Sequence, residues 1–304
     1  MATLDVVKTW PVRDWSAATG IDRAEARRQL ELGHVLYFPD LAFPLEPGEE
    51  RFLTGRYAED GAKNIALRRP GEPVRGAVGA PEDLAALARM VARYAEASLS
   101  LVRALVPDYA PAMTAGTTSL RTKEIAGREV SWRKDDTRLH VDAFPSNPLQ
   151  GRRVLRVFNN IDPDGVAREW RVGEPFADFA QRFAPKTTAP FGPALWALWK
   201  LGITKRRRTE YDHRMLQLHD LAKADAEYRR SAPAADVTFP AGATWLVFSD
   251  QVLHAALKGK CMLEQTIYLD REAIADRTHS PVDVLERMLG RPMTRGAEPL
   301  SAAG

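Results

Sequence analysis

The sequence contains one cysteine, Cys261, so it can form no internal disulfide, and cysteine-rich zinc motifs are excluded with it. That usage suits a reducing cytoplasm. No segment approaches the roughly 20 apolar residues needed to span a bilayer. The start Met1-Ala2-Thr3-Leu4-Asp5 lacks a basic region followed by an apolar run, so no secretory leader is expected. Charge of one sign is also scarce, at a net +3, and no nucleic-acid partner is expected; the clustering of positive charge says more about partners than the total. What remains is 304 residues, 45% apolar and 27% charged, enough to bury a sizeable core in a single domain over 1–304.

Taken in order, residues 1–110 read as helices and a strand that support a barrel formed by later strands. Asp22 and Glu25 have capping-box spacing, Leu30 lies on the apolar side, and Gly33 is placed as a C-terminal stop. His34 to Phe38 reads as a buried strand ended by Pro39. From Pro44 to Gly79 the chain is rich in Pro, Gly and charge, and Lys63, Arg68, Arg69 and Arg75 sit on what reads as irregular surface. Pro81 opens a long amphipathic helix with Leu84, Leu87, Val91, Tyr94, Val102 and Leu105 on one face, ended by Pro107.

Beyond it the periodicity shortens to that of strands. Candidates are Thr117 to Arg121, Thr137 to Asp142, Val154 to Ile161, Thr244 to Ser249 and Glu264 to Leu269. Residues 111–172 and 237–272 would form the barrel core, and 173–236 a helical insertion. The fold class expected is α+β: a double-stranded β-helix, a jelly-roll or cupin-like barrel, with N-terminal helices packed outside and the insertion between barrel strands. A last helix starts at Ser280-Pro281, capped by Ser280, and closes at Gly290.

The chemistry centres on Leu139-His140-Val141-Asp142. In extended chain, residues two apart face the same side, so an imidazole and a carboxylate can meet at one point. A third ligand from a distant strand would complete a 2-His-1-carboxylate triad with open positions on Fe(II) for a cosubstrate and O2. His254, after the apolar strand Trp245 to Ser249, is the candidate; His213 and His219, in the polar insertion, are its rivals. Fe(II) of this kind works with an electron-donating cosubstrate, usually 2-oxoglutarate, whose far carboxylate calls for a cation. Arg156, which interrupts Val154-Leu155-Arg156-Val157-Phe158, is the first choice for this anchor and Arg121 the second, because arginine matches a carboxylate bidentately. Asn159 and Gln265 could add neutral hydrogen bonds. In the insertion, Trp196 and Trp199 precede Lys205, Arg206, Arg207 and Arg208, a pairing that fits a segment resting on an anionic lipid surface. The competing reading is a core helix followed by a solvated turn.

The motifs Leu139 to Ser146, Arg152 to Asn160, Trp245 to His254 and Ser280 to Arg287 resemble, over most of the chain, the Kdo hydroxylase family. The resemblance implies an Fe(II)/2-oxoglutarate-dependent dioxygenase that hydroxylates C3 of a Kdo residue of Kdo2-lipid A to give Ko, releasing succinate and CO2. It places the metal triad on His140, Asp142 and His254 and the cosubstrate arginines on Arg121 and Arg156. Kdo is acidic and lipid A carries phosphates, so Lys63, Arg68, Arg69, Lys134 and Arg138 would have anionic partners. The substrate is made in the cytoplasmic leaflet of the inner membrane, which would make the protein cytoplasmic and peripheral. Two other readings stand beside this one: a 2-oxoglutarate oxygenase acting on another acidic sugar or a small hydroxyacid, and a non-catalytic anionic-lipid-binding protein on the same barrel.

Overall fold

The computed structural model describes residues 4–127 and 130–297 as two β-sheets packed face to face and wrapped by helices. Residues 1–3, part of the start expected to carry no leader, lie outside the described residues. The strands are β1 (Val7–Thr9), β2 (Val35–Phe38), β3 (Ile65–Leu67), β4 (Met113–Arg121), β5 (Arg153–Asn160), β6 (Arg168–Gly173), β7 (Ala234–Phe239), β8 (Thr244–Phe248), β9 (His254–Lys258) and β10 (Met262–Leu269). The larger sheet runs β1-β2-β8-β5-β10-β4-β3 and the smaller β7-β6-β9. Among the described residues only the β1–β2 pair is parallel; every other pair is antiparallel. This is the jelly-roll expected from the strand pattern.

Side-chain alternation assigns each strand of the large sheet two jobs. On β5 and β8, Leu155, Val157, Leu246 and Phe248 face outward against α1 (Arg23–Leu32) and α2 (Pro81–Leu105). Phe158, Trp245 and Val247 face inward and meet Trp170, Val172 and Ala256 of the small sheet. Trp245 is fully buried, stacked on Phe239 with centroids 4.1 Å apart and on Phe158 at 5.3 Å. This aromatic layer packs the two sheets together.

The helix signals translate into backbone geometry. Asp22 caps α1 by accepting from the Glu25 N–H, and Gly33 ends it at φ 94°, in the left-handed region where glycine carries no steric cost. Four helices, α3 (Phe176–Phe183), α4 (Gly192–Lys200), α5 (Glu210–Ala224) and α6 (Ala226–Ser231), fill the stretch between β6 and β7. With α7 (Pro281–Leu289), α3, α5 and α6 build a second core around Phe179, Phe183, Tyr211, Leu218 and Leu285, and it reaches Leu139, Val141, Leu253 and Ala255, the chain neighbours of His140 and His254.

Three expectations need correction. Thr137 to Asp142 is a turn followed by a single bridge residue, His140, because the segment forms a β-bridge only where it crosses His254. Ile65-Ala66-Leu67, inside the stretch read as irregular, pairs with β4 as a short edge strand. Ser280 stands at the N-terminus of α7, but its hydroxyl makes no capping bond and is left buried without a partner; Pro281 alone sets the start.

Candidate metal centre

The end of β8 and the start of β9 fix two of the three residues read as ligands. His254 opens β9, and His140 exchanges both backbone hydrogen bonds with it, at 3.1 and 2.9 Å. Across such a pair the side chains stand side by side, and the two imidazole centroids are 4.7 Å apart. Two residues further on, the Asp142 N–H donates to the Ser249 carbonyl at 2.8 Å, so the chain after His140 lies against the end of β8. One ligand atom from each of His140, Asp142 and His254 lies within 4.8 Å of the others.

The immediate surroundings set both orientation and charge. His140 Nδ1–H donates to the Arg138 carbonyl at 2.7 Å and His254 Nδ1–H to the Val252 carbonyl at 2.8 Å, leaving both Nε2 lone pairs for a cation. The Trp170 indole lies along His254, centroids 5.2 Å apart and planes at 20°. Burial holds both imidazoles below their ordinary range, so they stay neutral, as metal ligands must. Burial by itself would raise the Asp142 carboxyl, but Arg156 and the two imidazoles outweigh it and hold the group well below the usual carboxylate range. The Arg156 Nε to Asp142 Oδ2 separation is 2.9 Å, yet the N–H is not aimed at the oxygen, and Asp142 Oδ2 is buried with no hydrogen bond. A buried carboxylate oxygen without a donor, between two imidazole nitrogens with free lone pairs, fits a divalent cation.

Behind the three residues runs an ionic chain across the inner face of the large sheet. Arg156 on β5 pairs with Glu264 on β10, Glu264 accepts from Arg121 on β4 at 2.8 Å, and Arg121 reaches Asp136 at 3.4 Å. Lys63 closes the chain on Asp136 at 2.6 Å. The strand register explains the assembly: Arg156 pairs across from Thr266 and Arg121 from Met262, which places Glu264 between them on the same face. Burial opposes ionisation of Glu264 and Asp136, but the arginines and Lys63 overcome it and keep both charged. Arg156 lies on a central strand of the large sheet and is largely covered.

Asn159 and Gln265 do not belong to this face. Asn159 is three residues from Arg156, an odd number, so it points to the opposite side and donates to Leu41 O, Ala243 O and Thr244 Oγ1. Gln265 follows Glu264 and likewise turns away, bonding Thr118 Oγ1 and the Thr266 carbonyl. His213 is half-buried on α5 and does not join the three ligand atoms. His219 comes closer, its ring edge-on to His140 at 5.3 Å, with Nδ1 held by Asp220 at 3.0 Å.

The cationic candidates separate into different places. Lys63 and Lys134 line one cleft of about 510 Å³ together with Lys123, Asp135 and Asp136, so it joins the ionic chain through Asp136. Arg68 and Arg69 lie on the exposed turn after β3, outside the residues that line this cleft. Arg138 is turned away: it bonds Asp135 at 2.8 Å and the Lys223 carbonyl at 3.0 Å, and lines a separate cleft with Arg171 and Arg229. In the insertion, Phe191, Trp196, Leu201 and Ile203 are 72, 51, 74 and 54% exposed, beside Lys205 and Arg207, which are exposed as well. Trp199 is half-buried under Lys200, and Arg206 is half-buried. Arg208 is not a free cation: its guanidinium donates to the Pro145 carbonyl. Sequence reasoning missed Glu264, Asp136 and Lys223, and named His219 only as a rival ligand; of the three missed only Glu264 carried a signal, an acid inside a buried strand.

A double-stranded β-helix whose inner face brings two imidazoles and a carboxylate to one point, backed by buried arginines, defines the class of non-heme Fe(II)/2-oxoglutarate-dependent dioxygenases. The comparisons with known proteins narrow the class. Residues 14–292 match the model of the 3-deoxy-D-manno-oct-2-ulosonic acid (Kdo) hydroxylase family. The chain therefore belongs to the Kdo hydroxylase family. The solved structure of the Kdo hydroxylase KdoO, a non-heme Fe(II) α-ketoglutarate-dependent dioxygenase, in complex with cobalt(II) is 42% identical with a TM-score of 0.93, covering 97% of this chain and 99% of that one. KdoO in complex with α-ketoglutarate and Fe(III), and with succinate and Fe(III), matches at 41% identity and a TM-score of 0.91, each over 97% of this chain and 99% of the other. No curated protein matches the sequence.

Proposed function

We propose that this dioxygenase hydroxylates C3 of a Kdo residue of Kdo2-lipid A to give Ko, with 2-oxoglutarate converted to succinate and CO2. The observation that carries the reading is continuity. One unbroken run of charged side chains leads from the cleft lined by Lys63 and Lys134, through Asp136, Arg121 and Glu264, to Arg156 and Asp142. An acidic sugar entering that cleft meets cations along its path to His140, Asp142 and His254.

In this reading the three residues hold Fe(II), which with 2-oxoglutarate and O2 supplies the oxidising power. The chain's own contribution is placement. The carbonyls of Arg138 and Val252 hold the two imidazoles in the tautomer that presents Nε2. Arg156, with Arg121 behind it, offers guanidinium groups to the cosubstrate's carboxylate, and Glu264, shared between them, fixes their orientation before it arrives. Trp170, Phe158 and Trp245 keep water away from the inner side of the site.

The same reading places the protein on the cytoplasmic face of the inner membrane. Among the described residues no helix is long and apolar enough to cross a membrane. Four large apolar side chains stand exposed between Phe191 and Ile203, next to Lys200, Lys205 and Arg207, a composition that rests on anionic lipid. The purified protein, given Fe(II), 2-oxoglutarate, O2 and Kdo2-lipid A, is expected to add one oxygen to the Kdo portion by mass spectrometry, with stoichiometric succinate. Unchanged glycolipid mass would overturn the assignment. Trp196→Ser with Leu201→Ser is expected to reduce binding to vesicles containing anionic lipid severalfold; equal sedimentation with and without the substitutions would remove the membrane role.

A further inference from the structure

The ionic chain is balanced within itself. Three carboxylates, Asp142, Glu264 and Asp136, face three cations, Arg156, Arg121 and Lys63, through the contacts described above. A fourth cation, Lys223, stands beside them. It sits in the last turn of α5, one turn beyond His219, whose ring lies 5.3 Å from His140. Residues four apart on a helix share a face, so α5 directs both side chains at the metal centre. The Lys223 ammonium feels the carboxylates of Asp136 and Asp142 and in turn depresses the His140 imidazole.

Lys223 is 1% exposed, and its ammonium donates one hydrogen bond, to the Arg133 carbonyl at 3.0 Å. Among the described residues no carboxylate lies within ion-pair distance of it. An ammonium has three donors, and a buried lysine without a counter-charge is costly to maintain. Burial pulls its pKa below the ordinary lysine value, in keeping with an amine that lacks a partner. With Lys223 included, four cations face three carboxylates. A divalent metal and a dianionic 2-oxo acid cancel one another, so the loaded site retains one positive charge, the complement of a single carboxylate.

We propose that Lys223 receives the carboxylate of the sugar acid and so sets which carbon of the ring lies at the metal. The inference rests on the C3 assignment above: in a 2-ulosonic acid the carboxylate is carried by C2, the neighbour of C3. An anchor for that carboxylate must therefore lie within a few ångströms of the reacting position, which excludes the outer cleft residues Lys134 and Lys123 and leaves the α5 face. The helical insertion then does more than cover the barrel, because it supplies the residue that reads the acid group of the substrate.

The test is anaerobic equilibrium binding of Kdo2-lipid A in mixed micelles to the protein loaded with Co(II) and 2-oxoglutarate, which reads affinity without turnover. Lys223→Met is expected to weaken glycolipid binding about ten- to hundredfold, the loss of one charge-assisted contact. Lys223→Arg should recover much of it. A glycolipid whose Kdo carboxylates are converted to amides should bind wild type and Lys223→Met equally. Equal binding of native Kdo2-lipid A to wild type and Lys223→Met would overturn the role of Lys223, as would a loss of the same size with the amide. Thermal melting and Co(II) stoichiometry of each variant separate a folding defect from a binding one, and a variant that fails them is replaced by Lys223→Gln. If wild type itself neither binds nor oxidises Kdo2-lipid A, the substrate assignment fails first, an outcome distinct from a null effect at position 223.

Discussion

Strand β5 carries two arginines three residues apart, one buried and one largely covered, and they have different fates. Arg153 faces outward and is fully buried; its guanidinium meets the equally buried Asp250 at 2.7 Å and Gln251 at 2.6 Å, with Phe248 beneath it. Arg156 faces inward, shares Glu264 with Arg121 and stands beside an Asp142 oxygen that has no hydrogen bond. The first is a matched pair of opposite charges, with Nε and Nη2 of the guanidinium both bonded. The second is part of a linked set next to a point where three ligand atoms converge. Burial and charge are therefore not what marks a site; the mark is a carboxylate oxygen left without a hydrogen bond where two imidazole nitrogens converge.

The comparison can be broken in order of expected effect. The largest change should come from the convergence point itself: His140→Ala or Asp142→Ala should lower succinate formation on the order of a thousandfold or more, with metal content near zero and the circular dichroism spectrum retained. Retained turnover would remove the metal role of these residues. Next, Arg153→Met strands the Asp250 carboxylate in the interior and should cost about 3–5 kcal/mol in urea unfolding, while leaving the KM for 2-oxoglutarate unchanged in the folded fraction. Arg156→Met should invert that pattern. Arg121 still pairs with Glu264, so stability falls less, while the KM for 2-oxoglutarate rises about ten- to hundredfold. If both arginine variants lost stability and kept the same KM, the distinction between the two arginines would fail.

The smallest effect is a pH slope. Burial lowers the folded pKa of His140 and His254, so on acidification the unfolded chain takes up these protons first. Stability of the metal-free protein should therefore fall as pH drops below about 6.5, by up to about 1.4 kcal/mol per pH unit for each histidine. Asp250, whose folded pKa is raised by burial against the pull of Arg153, works in the opposite sense and contributes no loss in that window. Urea midpoints between pH 7 and 5 should flatten in His140→Gln; an unchanged slope would show that His140 takes up its proton in the folded state.

Much of the fold was legible because it follows from local chemistry. Asp22 and Gly33 bound α1, Pro81 starts α2, and the alternation in Val154 to Phe158 and Trp245 to Phe248 yields two-faced strands. Parity along β5 was legible too, and would have removed Asn159 from the candidate site, since an odd spacing from Arg156 reverses the face. The strand read over Thr137 to Asp142 was not, because the segment is held by two contacts with distant residues rather than by a neighbour in sequence. Lys205 to Arg208 read as one block, yet the fold turns Arg208 inward onto Pro145 and leaves Lys205 and Arg207 outside.

By itself the sequence determined which residue types were available for an iron site and on what period they faced, since side-chain direction in strands and helices depends only on neighbours along the chain. Tertiary structure alone decided that Glu264 lies between Arg121 and Arg156, that Asp136 links them to Lys63, and that α5 brings Lys223 to the same place. These meetings depend on sheet register and on how the insertion packs. Both are set by burying distant apolar surfaces against one another, and no local pattern encodes which distant surface that is.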